Sequence, residues 1–200
     1  MTQAIKEIFK TKIYGIIRED DPEKAYEIAN AYKEGGIKVI EINSGIDAIK
    51  KIAQIEDIYV AQGGIITSEQ AHKGIEAGAK LLVSPILQMG LTKVSSASKI
   101  PLILSATTPN EAYSAWKVRV PIIKIFPIKD LGGSTYIEDL LRPMRFLNVM
   151  PCGSVKIEHI RPLLNAGACA VGMGRGLYLG KSYDETVKLT KEAVSEAQKV

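Results

Sequence analysis

The sequence predicts a (β/α)8 TIM barrel. Eight short apolar runs recur along its 200 residues, helical segments separate them, and the runs start 24, 21, 22, 21, 21, 25 and 21 residues apart. Nearly continuous apolar runs are what parallel strands look like when helices cover both faces, and strand–helix units at so short and even a spacing suit a compact barrel. Periodicity does not show closure, so a doubly wound open sheet is the alternative.

The elements follow in order. Residues before about 12 read as a short added helix, ahead of the first strand, "IYGII" from residue 13. "DDPEKAYEIANAYKEGG" then places Ala25, Ile28, Ala29 and Tyr32 on one helical face, with Asp21 as N-cap, Pro22 in the first helical position, and Gly35 or Gly36 ending the helix. Strands follow at "IKVIEI" from 37, "IYVA" from 58, "KLLVS" from 80, "PLILS" from 101, "IIKIF" from 122, "LNVM" from 147 and "ACAVGM" from 168. Thr67–Gln70, Thr108–Glu111 and Ser182–Glu185 have capping-box spacing and mark helix starts. The tail from Ser182 to Val200 reads as the last outer helix. With no composition shift or linker, residues 1–200 are expected to form one barrel domain.

Composition excludes several classes. The 26 basic and 22 acidic residues leave a net charge of +4, with lysines spread along the chain, a pattern of solvated surface rather than of a nucleic-acid groove. Small anionic ligands remain compatible. The amino-terminal stretch lacks a signal-peptide pattern, and no apolar run approaches the roughly 18 residues of a membrane span. Cys152 and Cys169 have no CxxC partner, and with only His72 and His159 they make a poor metal set. A cytoplasmic protein is expected, without structural disulfides, metal, cofactor, membrane or nucleic-acid partner. Cys152 reads as a packed thiol, the two histidines as surface or packing residues on helices, and Trp116 and the tyrosines as scattered.

The chemistry gathers where strands end and βα loops begin. "PIIKIFPI", residues 121–128, sets one lysine inside a buried strand. Alternation gives Lys124 the facing of Ile122 and Phe126; if Ile123 and Ile125 pack on the helices, Lys124 points into the barrel. Burial disfavours the charged form of a lysine, and a neutral amine can attack a carbonyl to form a Schiff base. Glu41, at the close of strand 2, is placed to move protons for it. A buried Lys124–Glu41 ion pair without chemistry is the competing reading. "DLGGS", "PCGSVKIEH" and "GMGRGLY" follow strands 6, 7 and 8; the last two are expected to make a phosphate site of backbone amides to which Arg175 adds a charge, with plain tight turns as the competing reading. "GMGRG" is not a dinucleotide fingerprint.

These residues resemble a known family. "KIFP" at 124–127 with "LGG" at 131–133, "VSP" at 83–85 and Glu41 after "VI" are similar, in order from about residue 10 to 178, to the 2-keto-3-deoxy-6-phosphogluconate and 4-hydroxy-2-oxoglutarate aldolases. The resemblance implies a metal-free, homotrimeric class I aldolase barrel that releases pyruvate and an aldehyde from a 2-keto-3-deoxy acid. It makes Lys124 the Schiff-base lysine and Glu41 the general acid/base, and puts Gly153, Ser154 and Gly174 in the phosphate loops beside Arg175. Pro85 and Phe126 join the substrate-binding set. The chain departs from the family at the positions that read the substrate carboxylate: Gly45 stands where the family has arginine, and Gly64 where it has threonine. Arg18 is the remaining cation for a carboxylate, with Gln62 and Asn43 as neutral hydrogen-bonding candidates. The expected activity is aldol cleavage of a phosphorylated 2-oxo acid. The alternatives are a non-catalytic sugar-phosphate binder, or another phosphate-binding barrel enzyme, an isomerase or synthase using Lys124 as a cation.

Overall fold

The eight apolar runs are all parallel strands in the computed structural model, which describes residues 1–200. They are β1 (Ile13–Ile17), β2 (Val39–Ile42), β3 (Tyr59–Gln62), β4 (Leu81–Val83), β5 (Leu102–Ala106), β6 (Ile123–Ile125), β7 (Val149–Pro151) and β8 (Val171–Met173). From β1 to β7 each pairs with its sequence neighbours, and β1 pairs with β8 through Tyr14 opposite Gly172. A parallel bridge between Cys152 and Gly172, with Cys169 N–H donating to Val149 O at 2.9 Å, joins β7 to β8 and closes the ring. Closure overturns the open-sheet alternative.

The connecting helices are α1 (Gln3–Thr11), α2 (Pro22–Glu34), α3 (Ile46–Ile52), α4 (Ser68–Glu76), α5 (Leu91–Ser98), α6 (Pro109–Lys117), α7 (Ile128–Leu131), α8 (Ser134–Leu141), α9 (Ile160–Asn165), α10 (Arg175–Tyr178) and α11 (Tyr183–Ala197). Their start signals are the ones the sequence carries. Asp21 accepts from the amides of Glu23 and Lys24, and the boxes at Thr67–Gln70, Thr108–Glu111 and Ser182–Glu185 are all formed. On α2, Ala25, Ala29 and Tyr32 are buried and Ile28 packs at the margin.

Strand alternation divides the apolar residues into two layers. Ile13 and Ile17 of β1 face the helices together with Ile40, Val60, Leu82, Leu104, Ile123 and Ile125, while Tyr14 and Ile16 face inward with Val39, Ala61, Leu81, Val83, Ile103, Ile122 and Met150. Ile5 and Ile8 of α1 join the inner layer and plug the amino-terminal end of the barrel. Its carboxyl-terminal end stays open. No helix is long and apolar enough to cross a membrane. Trp116 and two other aromatic residues are not scattered: Tyr113 stacks on Trp116 at 5.8 Å, and Phe146, after α8, meets Trp116 at 4.6 Å on the outer surface.

Candidate active site

Ile123 and Ile125 pack outward, so Lys124 between them faces the interior, as Glu41 does on β2 between Ile40 and Ile42. Strands 2 and 6 lie opposite one another in a ring of eight, and the two side chains meet across it. Lys124 Nζ donates to both Glu41 oxygens, at 2.9 and 2.8 Å, and the side chains are only 4% and 1% exposed. Desolvating two charges costs more than a well-packed apolar pair would, so such a bridge argues for a role beyond stability.

The surroundings hold the pair in place. Asn43 Nδ2 donates to Glu41 Oε1 at 3.0 Å, so Asn43 orients the carboxylate rather than reaching for a ligand. Gly63 leaves the space for it: a Cβ there would lie 2.5 Å from Glu41 Oε1 and from Asn43 Oδ1. Ser105, opposite Lys124 on β5, is tied down through its hydroxyl to Ser84 O at 2.7 Å. Cys152 is buried, and burial pushes its thiol up to about 12, with the positive charge of Lys124 opposing, as for a packed thiol.

A cavity of about 470 Å³ opens above the pair, at the carboxyl ends of β1, β6, β7 and β8. Arg18, Phe126, Gly153, Ser154, Gly174 and Arg175 line it with Lys124. Two cations approach the Phe126 ring, Arg18 Cζ at 5.9 Å and Lys124 Nζ at 5.7 Å from its centroid. Arg18 is held by its backbone: its N–H donates to Tyr178 Oη at 2.9 Å, and the same hydroxyl donates to Arg18 O at 3.3 Å. Tyr32 Oη donates to Gly174 O at 3.2 Å, fixing the loop after β8. The loop after β7 turns through left-handed backbone at Gly153 (φ 106°) and Ser154 (φ 53°), and a Cβ on Gly153 would approach Pro127 Cα to 3.1 Å.

Two of the expected substrate contacts are elsewhere. Gln62 is at an outward position of β3, since Ala61 faces in, and its side chain lies against Gly74 of α4, where a Cβ would meet Gln62 Oε1 at 1.6 Å. Pro85, past the end of β4, is half-buried and does not line the cavity. At Gly45 a Cβ would meet nothing within 4 Å, leaving that corner open, whereas Gly64 has φ 73°, a conformation that strains a β-branched residue. Sequence reasoning missed Lys156, which lines the cavity two residues beyond Ser154, and Tyr14, an inward neighbour of the buried pair. Alternation along β1 carries the signal for Tyr14. For Lys156 the signal is its place within "PCGSVK".

Known proteins share this arrangement of strands and loops. A 2-dehydro-3-deoxy-phosphogluconate aldolase of Haemophilus influenzae is 27% identical over 202 positions, spanning 96% of this chain and 95% of that one. The crystal structure of the 2-keto-3-deoxy-6-phosphogluconate aldolase of Zymomonas mobilis with 3-phosphoglycerate matches at a TM-score of 0.87 and 23% identity, over 96% of this chain and 95% of that one. That of KDPG aldolase from Legionella pneumophila, with pyruvate captured as a covalent carbinolamine, matches at 0.83 and 22%, over 97% and 98%. A family model described as KDPG and KHG aldolase covers residues 5–190, and the chain belongs to that family.

Proposed function

We propose that Lys124 and Glu41 carry out the family's aldol cleavage in this chain. The chain is a class I aldolase, an aldehyde-lyase that cleaves a 2-keto-3-deoxy sugar acid to pyruvate and an aldehyde. The observation that carries the residue assignment is the two-point Lys124–Glu41 bridge, whose lysine lines the cavity with the carboxylate buried behind it. Transfer of one ammonium proton along either contact leaves a neutral amine beside a carboxylic acid. The amine attacks the C2 carbonyl carbon of the 2-oxo acid to give a carbinolamine, and Glu41 supplies the proton with which water leaves. The iminium draws electrons from the C3–C4 bond as it breaks, and the C4 hydroxyl proton passes to Glu41 as the aldehyde departs. Glu41 returns a proton to C3 of the enamine, and hydrolysis of the iminium frees pyruvate and Lys124.

Arg18 and Phe126 are proposed to hold the substrate near the reacting carbon. Gly153, Ser154, Gly174 and Arg175, with Lys156 beside them, are proposed to hold a distal phosphate through backbone amides and charge. The cations around the cavity and the absence of a carboxylate from its lining support that reading. The 3-phosphoglycerate bound to the Zymomonas protein is an anion of the right class. We further propose one domain over residues 1–200, a homotrimer and a cytoplasmic location, in keeping with the family resemblance and the two free thiols.

The test is borohydride reduction in the presence of pyruvate, read by intact mass and peptide mapping. The expected result is a stable adduct on Lys124, absent in Lys124→Met. Glu41→Gln should lower cleavage of 2-keto-3-deoxy-6-phosphogluconate by about 10²–10⁴-fold, the usual range for loss of a general acid/base. Retained cleavage in a folded Lys124→Met enzyme would sink the assignment.

A further inference from the structure

One polar group next to the buried pair has no use in the chemistry above. Tyr14 faces the barrel interior from β1, its side chain has no solvent exposure, and its hydroxyl has no hydrogen-bond partner. An unpartnered buried hydroxyl destabilises a fold, and phenylalanine would fill the same space without that cost. Gly172 stands opposite on β8 and Ala61 faces in from β3, so the ring reaches into the middle of the barrel.

What surrounds the hydroxyl gives it a direction. Burial first, then the charge of Glu41 on β2, the proximity of Cys152 on β7 and a weak approach to Glu41 as acceptor hold the phenol well above its ordinary range, so the hydroxyl already faces that carboxylate without meeting hydrogen-bond geometry. It is therefore an O–H donor throughout the neutral range. Lys124 faces the same space from β6, already committed to Glu41. Ser105 from β5 donates to Ser84 O, Tyr59 is half-buried at the start of β3, and α1 contributes the apolar Ile5, Ile8 and Phe9 from below. Glu41 is thus the one strong acceptor near an idle donor.

Resting Glu41 does not need that donor, because Lys124 contacts both its oxygens and Asn43 one. Schiff-base formation changes this. Once Nζ is doubly bonded to the substrate carbon it retains a single N–H and can no longer satisfy both oxygens. The carboxylate loses a contact at the stage where its position decides proton transfer at C3.

Resting on the Lys124–Glu41 assignment, we propose that Tyr14 is a positioning residue. Its hydroxyl donates to the Glu41 carboxylate in the iminium and enamine states, replacing the contact that Lys124 gives up. The hydroxyl is idle in the free enzyme and engaged in the covalent intermediates.

Tyr14→Phe tests this against wild type with three readouts: melting temperature, borohydride trapping with pyruvate, and the pH profile of hydrogen–deuterium exchange at the pyruvate methyl group. Exchange needs only the enamine, so no aldehyde partner has to be known. The expected variant melts no lower than wild type and still forms the Lys124 adduct. It exchanges at least about tenfold more slowly, with the acid limb of its profile moved to higher pH, because the carboxylate has lost a donor. An unchanged exchange profile in a trapping-competent variant overturns the role of Tyr14 and leaves the aldolase assignment intact. A lower melting temperature also overturns it, since the hydroxyl would then serve the fold. Absence of an adduct in wild type overturns both.

Discussion

Gly63 shows how much of the site depends on a side chain that is not there. Glu41 reaches Lys124 only because the space beside its carboxylate is open, and a methyl group at residue 63 would sit 2.5 Å from Glu41 Oε1 and 2.7 Å from its Cγ. The Cγ contact leaves the glutamate little room to swing aside without breaking its bridge to Lys124. Gly63→Ala should therefore lower pyruvate exchange by about 10²-fold, the cost of a misplacement near 1 Å, while the melting temperature changes little. Single-turnover exchange with parallel thermal melts checks both halves. Lys124 and Glu41 were legible in the sequence, because a lysine in an isoleucine run and a carboxylate at a strand end are both anomalies. Gly63 was not, since its constraint comes from Glu41 and Asn43, some twenty residues earlier and on the neighbouring strand.

The elements were legible wherever the signal is local. Each capping box combines a backbone geometry and two side chains within four residues, and all three form. The box at α6 is the most heavily used: Glu111 Oε2 accepts from the amides and hydroxyls of both Thr107 and Thr108, at 2.8 to 3.0 Å. These bonds, the Thr107 amide first, hold the Glu111 carboxyl below its ordinary 4.5. A carboxyl lowered by folding stabilises the fold above its unfolded value, and that contribution disappears as pH falls through the folded value. Glu111→Gln should thus cost about 1 kcal/mol near neutrality, and the gap from wild type should close below pH 4.5. Urea melts at several pH values measure it; a gap that widened in acid would contradict the capping account. Non-local pairings were less legible. Gln62 is a neutral hydrogen-bonding candidate by sequence, but Ala61 takes the inward position on β3 and leaves Gln62 facing α4. Tyr113 and Trp116 are one turn apart on α6, but Phe146 meets Trp116 only because α6 and the segment after α8 are neighbours in the closed ring.

At the scale of the whole molecule the barrel has a sealed end and an open one. Counting strands was enough to foresee a barrel, and placing Lys124 on the sixth and Glu41 on the second implies that they face each other once the ring closes. Closure itself rests on contacts between β7 and β8 that no periodicity reports. The sealed end is made by α1, which lays Ile5 and Ile8, 1% and 0% exposed, against the inner layer that includes Tyr14, Val39 and Leu81. The reactive pair lies toward the other end, where the cavity opens. Stability and chemistry are therefore separable along the barrel axis. Ile8→Ala should destabilise the fold by about 2–5 kcal/mol, the usual cost of truncating a fully buried isoleucine. The folded fraction should keep its exchange rate per molecule, because the cavity made by the truncation lies at the sealed end, below the level of Glu41, which the register sets beside Ile16. Urea unfolding gives the first quantity, and exchange measured well below the unfolding midpoint gives the second. If exchange fell with stability intact, α1 would be coupled to the position of Glu41, and the plug would belong to the active site as well as to the core.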